Sequence, residues 1–310
     1  MAEQTQSKKK LGVAELMCYG IGNCIGSGIF VSMGSGIGFT GRSIPLALIA
    51  ASIIVFFAYA YKTLMSGMFI LPGGNYSQAA LLQPPLLVGV SAISNIFSAL
   101  SFAMHGIAIV EYASTVFPQI EPYKSAIAIA IITVFFLTTL LGGKFMGRFN
   151  MIMVVVLMIA LLVYIIVGLP QVDAQAISPA SDHYFMGGPV GFLMAVAMMS
   201  FACQGATMPI AMTADARNPK RDLPKAIMLA SLVVMLVYVV IGIVSSGVLP
   251  VEEVANKNLG VVAREIFPYG VFVIFILGGA CFAIATSLYK TIAGVQHCLP
   301  PWGKVTNGFL

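Results

Sequence analysis

Eight stretches of this sequence, at 16–41, 43–61, 86–110, 125–143, 149–172, 183–214, 226–251 and 266–289, contain no charged side chain. A helix needs roughly 18–20 residues to cross about 30 Å of hydrocarbon, and each stretch supplies that length. Backbone groups in lipid must be paired within the segment, which leaves the α-helix as the solution for repeated spans of this kind. The chain is therefore predicted to be an all-α polytopic membrane protein with about eight transmembrane helices. Only 9% of its residues are charged, where a soluble domain carries about a quarter.

The lysines and arginines set the orientation. With the N-terminus in the cytoplasm, the cytoplasmic side holds Lys8, Lys9, Lys10, Lys62, Lys144, Arg148, Arg217, Lys220, Arg221, Lys225, Lys290 and Lys304, against Arg42, Lys124, Lys257 and Arg264 outside. This asymmetry accounts for the net charge of +5. Nucleic-acid binding, which wants a contiguous soluble basic face, is not needed to explain it. The polar start, ending in three lysines, precedes a segment with Glu15 and Asn23 and no small-residue cleavage site, so it reads as a tail before an uncleaved first span. Cys18, Cys24, Cys203 and Cys281 lie in spans and Cys298 on the cytoplasmic side, so no disulfide framework is expected. There is no CxxC, HExxH or cysteine–histidine cluster, and neither a metal nor a cofactor is expected.

Two spans differ from the rest. The first carries "GIGNCIGSGIFVSMGSGIG" at 20–38, with glycine at 20, 22, 26, 28, 34, 36 and 38, although glycine costs a helix interior about 1 kcal/mol relative to alanine. The sixth reads "VAMMSFACQGATMPIAM", where small and polar residues interrupt the middle and Pro209 follows. Proline removes a backbone donor and crowds the preceding turn, which favours a break. Five helices separate the two spans, so units beginning at spans one and six enter the membrane from opposite faces. Interrupted helices at matching positions of two inverted halves point to the binding site of a secondary transporter.

Tight packing alone accounts for the GxxxG at Gly22 and Gly26, but not for Asn23, Ser27 or the second interrupted span. A GxGxxG nucleotide loop is absent. An interrupted helix offers the positive end of its outer half and the negative end of its inner half to a small zwitterion. The carboxylate is expected on N–H groups around Gly26, Ser27, Gly28 and Ile29, and the ammonium on carbonyls freed in spans one and six. No acidic or basic side chain lies mid-span in either broken helix, so backbone dipoles have to neutralise a charged ligand there. Gly20 and Gly22 are assigned to packing, and Gly34, Gly36 and Gly38 to the outer exit of the helix. Glu15 and Glu111 sit near span ends in structural or gating positions. His105 is the titratable group well inside a span and a candidate for proton coupling.

With "GSGIF" at 26–30, "LPGGNYSQA" at 71–79 and "FACQGAT" running into "ARNPKRDLPKAI" at 216–227, the chain resembles the amino acid–polyamine–organocation permeases. The resemblance implies the five-plus-five inverted-repeat transporter fold, with helices 1 and 6 interrupted and amino acids or related amines as substrates. It implies a substrate site at Ile25, Gly26, Ser27, Gly28, Ile29, Phe201, Ala202, Cys203, Gln204 and Gly205. Phe201 matches the aromatic gate and Gly205 the glycine of the span-six break. Where many members carry a coupling lysine in span five, this chain has Leu157, and Ala206 replaces a bulky aromatic after the span-six glycine. Thr286 and Ser287 are the hydroxyls that stand where sodium-coupled relatives bind Na⁺. Exchange, H⁺ and Na⁺ coupling stay open.

The expected organisation is a cytoplasmic tail over 1–12, a first repeat of spans one to five over 13–172, a partial second repeat of spans six to eight over 183–295, and a cytoplasmic end over 296–310. The sequence stops at "TNGFL", where the family continues into a ninth span. It is read as a C-terminally truncated member, expected to transport poorly alone. The expected function is a plasma-membrane permease or exchanger for small or medium neutral amino acids. The alternatives are a non-transporting remnant or regulatory subunit, and a channel, which would want a ring of charge or carbonyls. An enzyme is not expected, because no nucleophile and base converge in the spans. The partners expected are amino-acid substrate and membrane lipid.

Overall fold

The structure, a computed structural model, describes residues 11–68, 84–97, 100–139, 143–173, 178, 181 and 183–298. The "LPGGNYSQA" motif and the "TNGFL" end lie outside the described residues. Among the described residues thirteen α-helices follow one another: α1 Val13–Cys24, α2 Ser27–Thr40, α3 Ile44–Met68, α4 Pro85–Phe97, α5 Ser101–Ser114, α6 Lys124–Thr139, α7 Gly143–Gly168, α8 Gly188–Cys203, α9 Pro219–Gly247, α10 Val251–Val254, α11 Gly260–Ile266, α12 Tyr269–Ile274 and α13 Phe282–Cys298. A 3₁₀ segment, Gln204–Asp215, continues α8, and a π-helical turn, Phe275–Cys281, joins α12 to α13. Among the described residues the only β-type pairing is an isolated parallel bridge between Leu11 and Ala216.

Six helical stretches among the described residues are long and apolar enough to cross a membrane: 27–65, 118–138, 152–171, 188–207, 219–247 and 269–289. The sequence divides the same chain into eight. The first structural stretch takes in two of those spans, because α2 passes into α3 through a short 3₁₀ turn, Gly41–Ser43. Gly41 there has φ +69, a conformation that favours glycine. The third span falls on α4 and α5, of 13 and 14 residues, each too short on its own.

Packing sorts the helices into two groups. In one, α2 lies on α8, α3 on both α8 and α9, and α1 on α9 and on the 3₁₀ segment after α8. In the other, α5 packs on α6 and α13, and α7 on α13 and the π-helical turn. The groups meet where α2 touches α13 and where α7 touches α9. Small residues make the close crossings possible. A Cβ on Gly28 would stand 2.8 Å from the Cα of Ala202, and one on Gly205 would stand 2.6 Å from the carbonyl carbon of Asn23. On the other side, a Cβ on Gly22 would meet Val154 of α7 at 3.1 Å, and one on Gly26 would overlap the Ser287 hydroxyl of α13.

The "ARNPKRDLPKAI" stretch starts α9. Asn218 is its N-cap residue and Pro219 opens the helix, where a missing N–H costs nothing and φ is already set. Asp222 in the first turn accepts the Asn218 N–H at 3.1 Å, a favourable place for a negative charge. The adjoining Arg217 amide donates to the Leu11 carbonyl at 2.8 Å, which docks the start of the chain against the exit of span six. Leu16, Ala216, Leu223 and Ala226 form a small separate core beneath this contact.

Span one is interrupted at Ile25–Gly26: Ile25 is extended (φ −76, ψ 96) and α2 restarts at Ser27. The Cys24 carbonyl at the end of α1 accepts the Tyr238 hydroxyl of α9 at 2.7 Å, deep in the core. Tyr238→Phe keeps the ring and removes this donor, so it should lower stability by about 1–2 kcal/mol. Thermal unfolding of the purified protein in detergent checks this, and a midpoint equal to wild type would show that the cap is dispensable.

Candidate functional site

The first N–H groups of a helix have no partner inside it. At the start of α2 the Ser27 amide donates to the Ser287 Oγ of α13 at 2.9 Å. The Ser27 side chain lies 2.9 Å from His105 Nε2 of α5. The other ring nitrogen, Nδ1, is 2.5 Å from the Ser101 carbonyl. A carbonyl can only accept, so Nδ1 carries the proton, and in the neutral ring Nε2 accepts from the Ser27 hydroxyl. Ser27 and His105 are both buried. Two of the three residues singled out for ion coupling, His105 and Ser287, therefore converge on one residue of the span-one break. The third, Thr286, is buried with its hydroxyl donating to the Ala283 carbonyl at 2.8 Å, the back-bonding common for a helical threonine.

Span six meets the break from the other side. Its α-helix ends at Cys203 and continues with 3₁₀ pitch through Pro209. A long 3₁₀ run inside a span is unusual and marks a hinge. The Cys24 thiol lies 3.2 Å from the Ala202 carbonyl and 3.4 Å from that of Cys203, while the Cys203 thiol is 3.4 Å from Ser52 Oγ of α3. Ile25, Ile29, Ala202, Cys203 and Ala206 are buried around this crossing. The span-six side of the site is lined by apolar side chains and thiols, and the Ser27–His105 side by polar ones.

The remaining expected residues fall as follows. Phe201 is 57% exposed, so its ring points out of the packed core. Gln204 is exposed, and Gly205 lies against the end of α1. Leu157, the residue that the resemblance sets in the place of a coupling lysine, is fully buried in the core. Glu15 caps α1 by accepting the Gly12 amide at 2.5 Å, and Glu111 pairs with Lys124 at 2.7 Å. Both carboxylates thus have structural partners away from the break. Asn23 donates to the Tyr19 carbonyl of its own helix at 2.8 Å.

Three contributors escape a sequence-level reading. Tyr238 caps α1, and Ser52 partners Cys203. Tyr112 of α5, itself buried, donates to the Phe30 carbonyl of α2 at 2.7 Å and accepts the Leu259 amide at 3.0 Å. A signal existed for Tyr238: tyrosines in membranes favour the interface, so one placed mid-span announces a buried hydrogen-bond partner.

The sequence profile of the amino acid permeases matches residues 11–300. An uncharacterized protein of Methanocaldococcus jannaschii is 28% identical over 97% of this chain and 71% of its own length. The branched-chain amino acid permease of Bacillus subtilis is 29% identical over 81% of this chain, and the cadaverine/lysine antiporter of Escherichia coli is also 29% identical over 81%. The chain spans 57% of the length of each of these two.

The geometry makes one direct prediction about access. Cys24 and Cys203 are buried whereas Cys18 is exposed, and thiol reactivity follows exposure. A membrane-permeant maleimide should modify Cys18 at least about tenfold faster than Cys24 or Cys203, read by mass spectrometry of the intact protein. Equal rates would mean that the crossing of spans one and six is open.

Proposed function

This chain belongs to the amino acid permease family, and from that premise we propose that it is a secondary active transporter for amino acids, working by alternating access in the plasma membrane with its N-terminus in the cytoplasm. The observation that carries the proposal is the interruption of span one at Ile25–Gly26, set against the end of the α8 helix. The Gly28 and Ile29 amides at the start of α2 take the substrate carboxylate, and the ammonium takes carbonyls at the ends of α1 and α8. Phe201 closes over the ligand from its exposed position, and Gln204 and Gly205 line the hinge beneath. Among the described residues no carboxylate is buried at the break, which favours small or medium neutral amino acids over cationic ones.

The two packing groups supply the moving parts. Spans one, two, six and seven form the bundle, and spans three, four, five and eight the scaffold against which it rocks. In this scheme the first repeat runs over 13–172, and the residues 183–295 belong to the second, in inverted orientation.

Coupling is proposed to run through His105. Protonation turns its Nε2 from acceptor into donor and so reverses the polarity of its hydrogen bond with Ser27 at the break. Thr286 and Ser287 already use their hydroxyls within the fold, which makes them weaker candidates for holding Na⁺.

Reconstitution into proteoliposomes with a panel of labelled amino acids tests the whole proposal. Saturable uptake of neutral amino acids is expected. Gly28→Leu, which drives a side chain into Ala202, should abolish binding while membrane insertion persists; wild-type affinity would remove the site from spans one and six. His105→Gln keeps a hydrogen-bonding side chain but cannot titrate, so uptake should lose its response to a pH gradient. An unchanged pH profile would assign coupling to Na⁺ or to exchange.

A further inference from the structure

α3 and α9 pack against each other, with the start of one beside the end of the other. A Cβ on Gly242 of α9 would stand 2.9 Å from the Leu48 side chain and 3.7 Å from the Pro45 Cα, both at the start of α3. The start of α9 lies by Leu11, at the membrane face where the chain begins. From Pro45 forward to Lys62, and from Gly242 back to Lys225, the rise is the same, about 25 Å. Lys62 of α3 and Lys225 of α9 therefore come level at that face.

Lys62 continues the stripe Ser52, Val55 and Tyr59, which is the packed side of α3. It is half-buried, with its Nζ 5.1 Å from the centre of the Tyr59 ring and 5.9 Å from that of Tyr61. Such a lysine lays its stem on apolar surface and holds its charge at the interface. Arg221 and Lys225 are exposed and one turn apart on one face of α9. The same face continues into the membrane as Leu229, Leu232 and Leu236, all exposed, and α3 presents Phe57, Tyr61 and Leu64 alongside. Among the described residues the ion pairs are Lys124–Glu111 and His183–Glu252, so neither involves Lys62, Arg221 or Lys225. Asp222 beside them accepts the Asn218 amide.

Three cations thus head two apolar stripes that run side by side into hydrocarbon. A soluble anion would gain from the charge alone; an anionic lipid gains from the charge and from the stripes. We propose that this end of the α3–α9 seam binds an anionic glycerophospholipid from the leaflet on the N-terminal side. Its phosphate sits among Lys62, Arg221 and Lys225, where the guanidinium can pair with two phosphate oxygens at once. Its acyl chains lie along Phe57 and Leu64 on one side and Leu229, Leu232 and Leu236 on the other. Tyr61 stands at headgroup level, a common place for tyrosine. The bound lipid ties the end of α3 to the start of α9, close to the exit of span six.

The proposal needs the chain to lie in a membrane and is independent of what it carries. Native mass spectrometry of the purified chain in detergent, titrated with dioleoylphosphatidylglycerol or dioleoylphosphatidylcholine, gives an affinity for each lipid. Phosphatidylglycerol should bind at least about tenfold more tightly. The double variant Lys62→Gln with Lys225→Gln should lose at least about tenfold in affinity for phosphatidylglycerol and none for phosphatidylcholine. Arginine at both positions should restore it. Lys225→Gln alone changes only an exposed side chain, so its unfolding midpoint should match wild type while its affinity falls about fivefold. Lys257→Gln, exposed on the connection that packs on the outer end of α2, should bind like wild type. Equal affinities for the two lipids, or an equal loss in Lys257→Gln, would overturn the site. Displacement of the lipid by millimolar glycerol 3-phosphate would also overturn it, by assigning the cations to a soluble phosphate.

Discussion

A helix that breaks inside a membrane exposes backbone groups that lipid cannot satisfy, and the architecture follows from how those groups are met. At Ile25–Gly26 the partners come from three other spans. Tyr238 of α9 caps the Cys24 carbonyl, Ser287 of α13 takes the Ser27 amide, and His105 of α5 binds the Ser27 hydroxyl. The first belongs to the packing group that contains α1 and α2, the other two to the opposing group. The break is therefore held on one side by its own bundle and on the other by the scaffold. Any relative motion of the two groups acts directly on the hydrogen bonds of Ser27.

Glycine makes this arrangement possible for a steric reason more than a torsional one. Gly26 and Gly28 have no left-handed backbone; what they provide is room for Ser287 on one side and Ala202 on the other. Gly34 and Gly38 give the same room to the α10–α11 connection that bears Asn256 and Lys257. Along nineteen residues, the missing side chains let span one be touched closely by spans six, seven and eight and by an outer connection. A helix propensity penalty of about 1 kcal/mol per glycine is offset by contacts that a Cβ would forbid.

Much of this was legible from residue order. The uncharged windows announce membrane helices, and the glycine run and "FACQGATMP" announce two unusual spans. What residue order left hidden is partnership. His105 is a lone histidine in span three, and Ser287 is one of two adjacent hydroxyls in span eight; neither position reveals that both reach Ser27. Of that hydroxyl pair, Thr286 turned back onto its own helix, a choice set by which face of α13 meets α2. Residue order also did not show the tight 3₁₀ turn at Gly41 that joins α2 to α3, or that span three divides between two short helices.

The sequence by itself determined the solvent. Charge-free lengths, the distribution of lysine and arginine, and glycine placed where helices are weakest dictate a helical membrane protein with interrupted spans, because hydrocarbon admits few backbone solutions. The N-cap asparagine and the first-turn aspartate of α9 act locally too, since a cap is made within four residues. Only the tertiary structure decided which side chains close the break, that Phe201 faces outward, and that Lys62 and Lys225 come level at one end of α3 and α9. Those pairings join residues 78 to 260 positions apart in the chain, and helix crossings, fixed by steric fit across the whole bundle, bring them together.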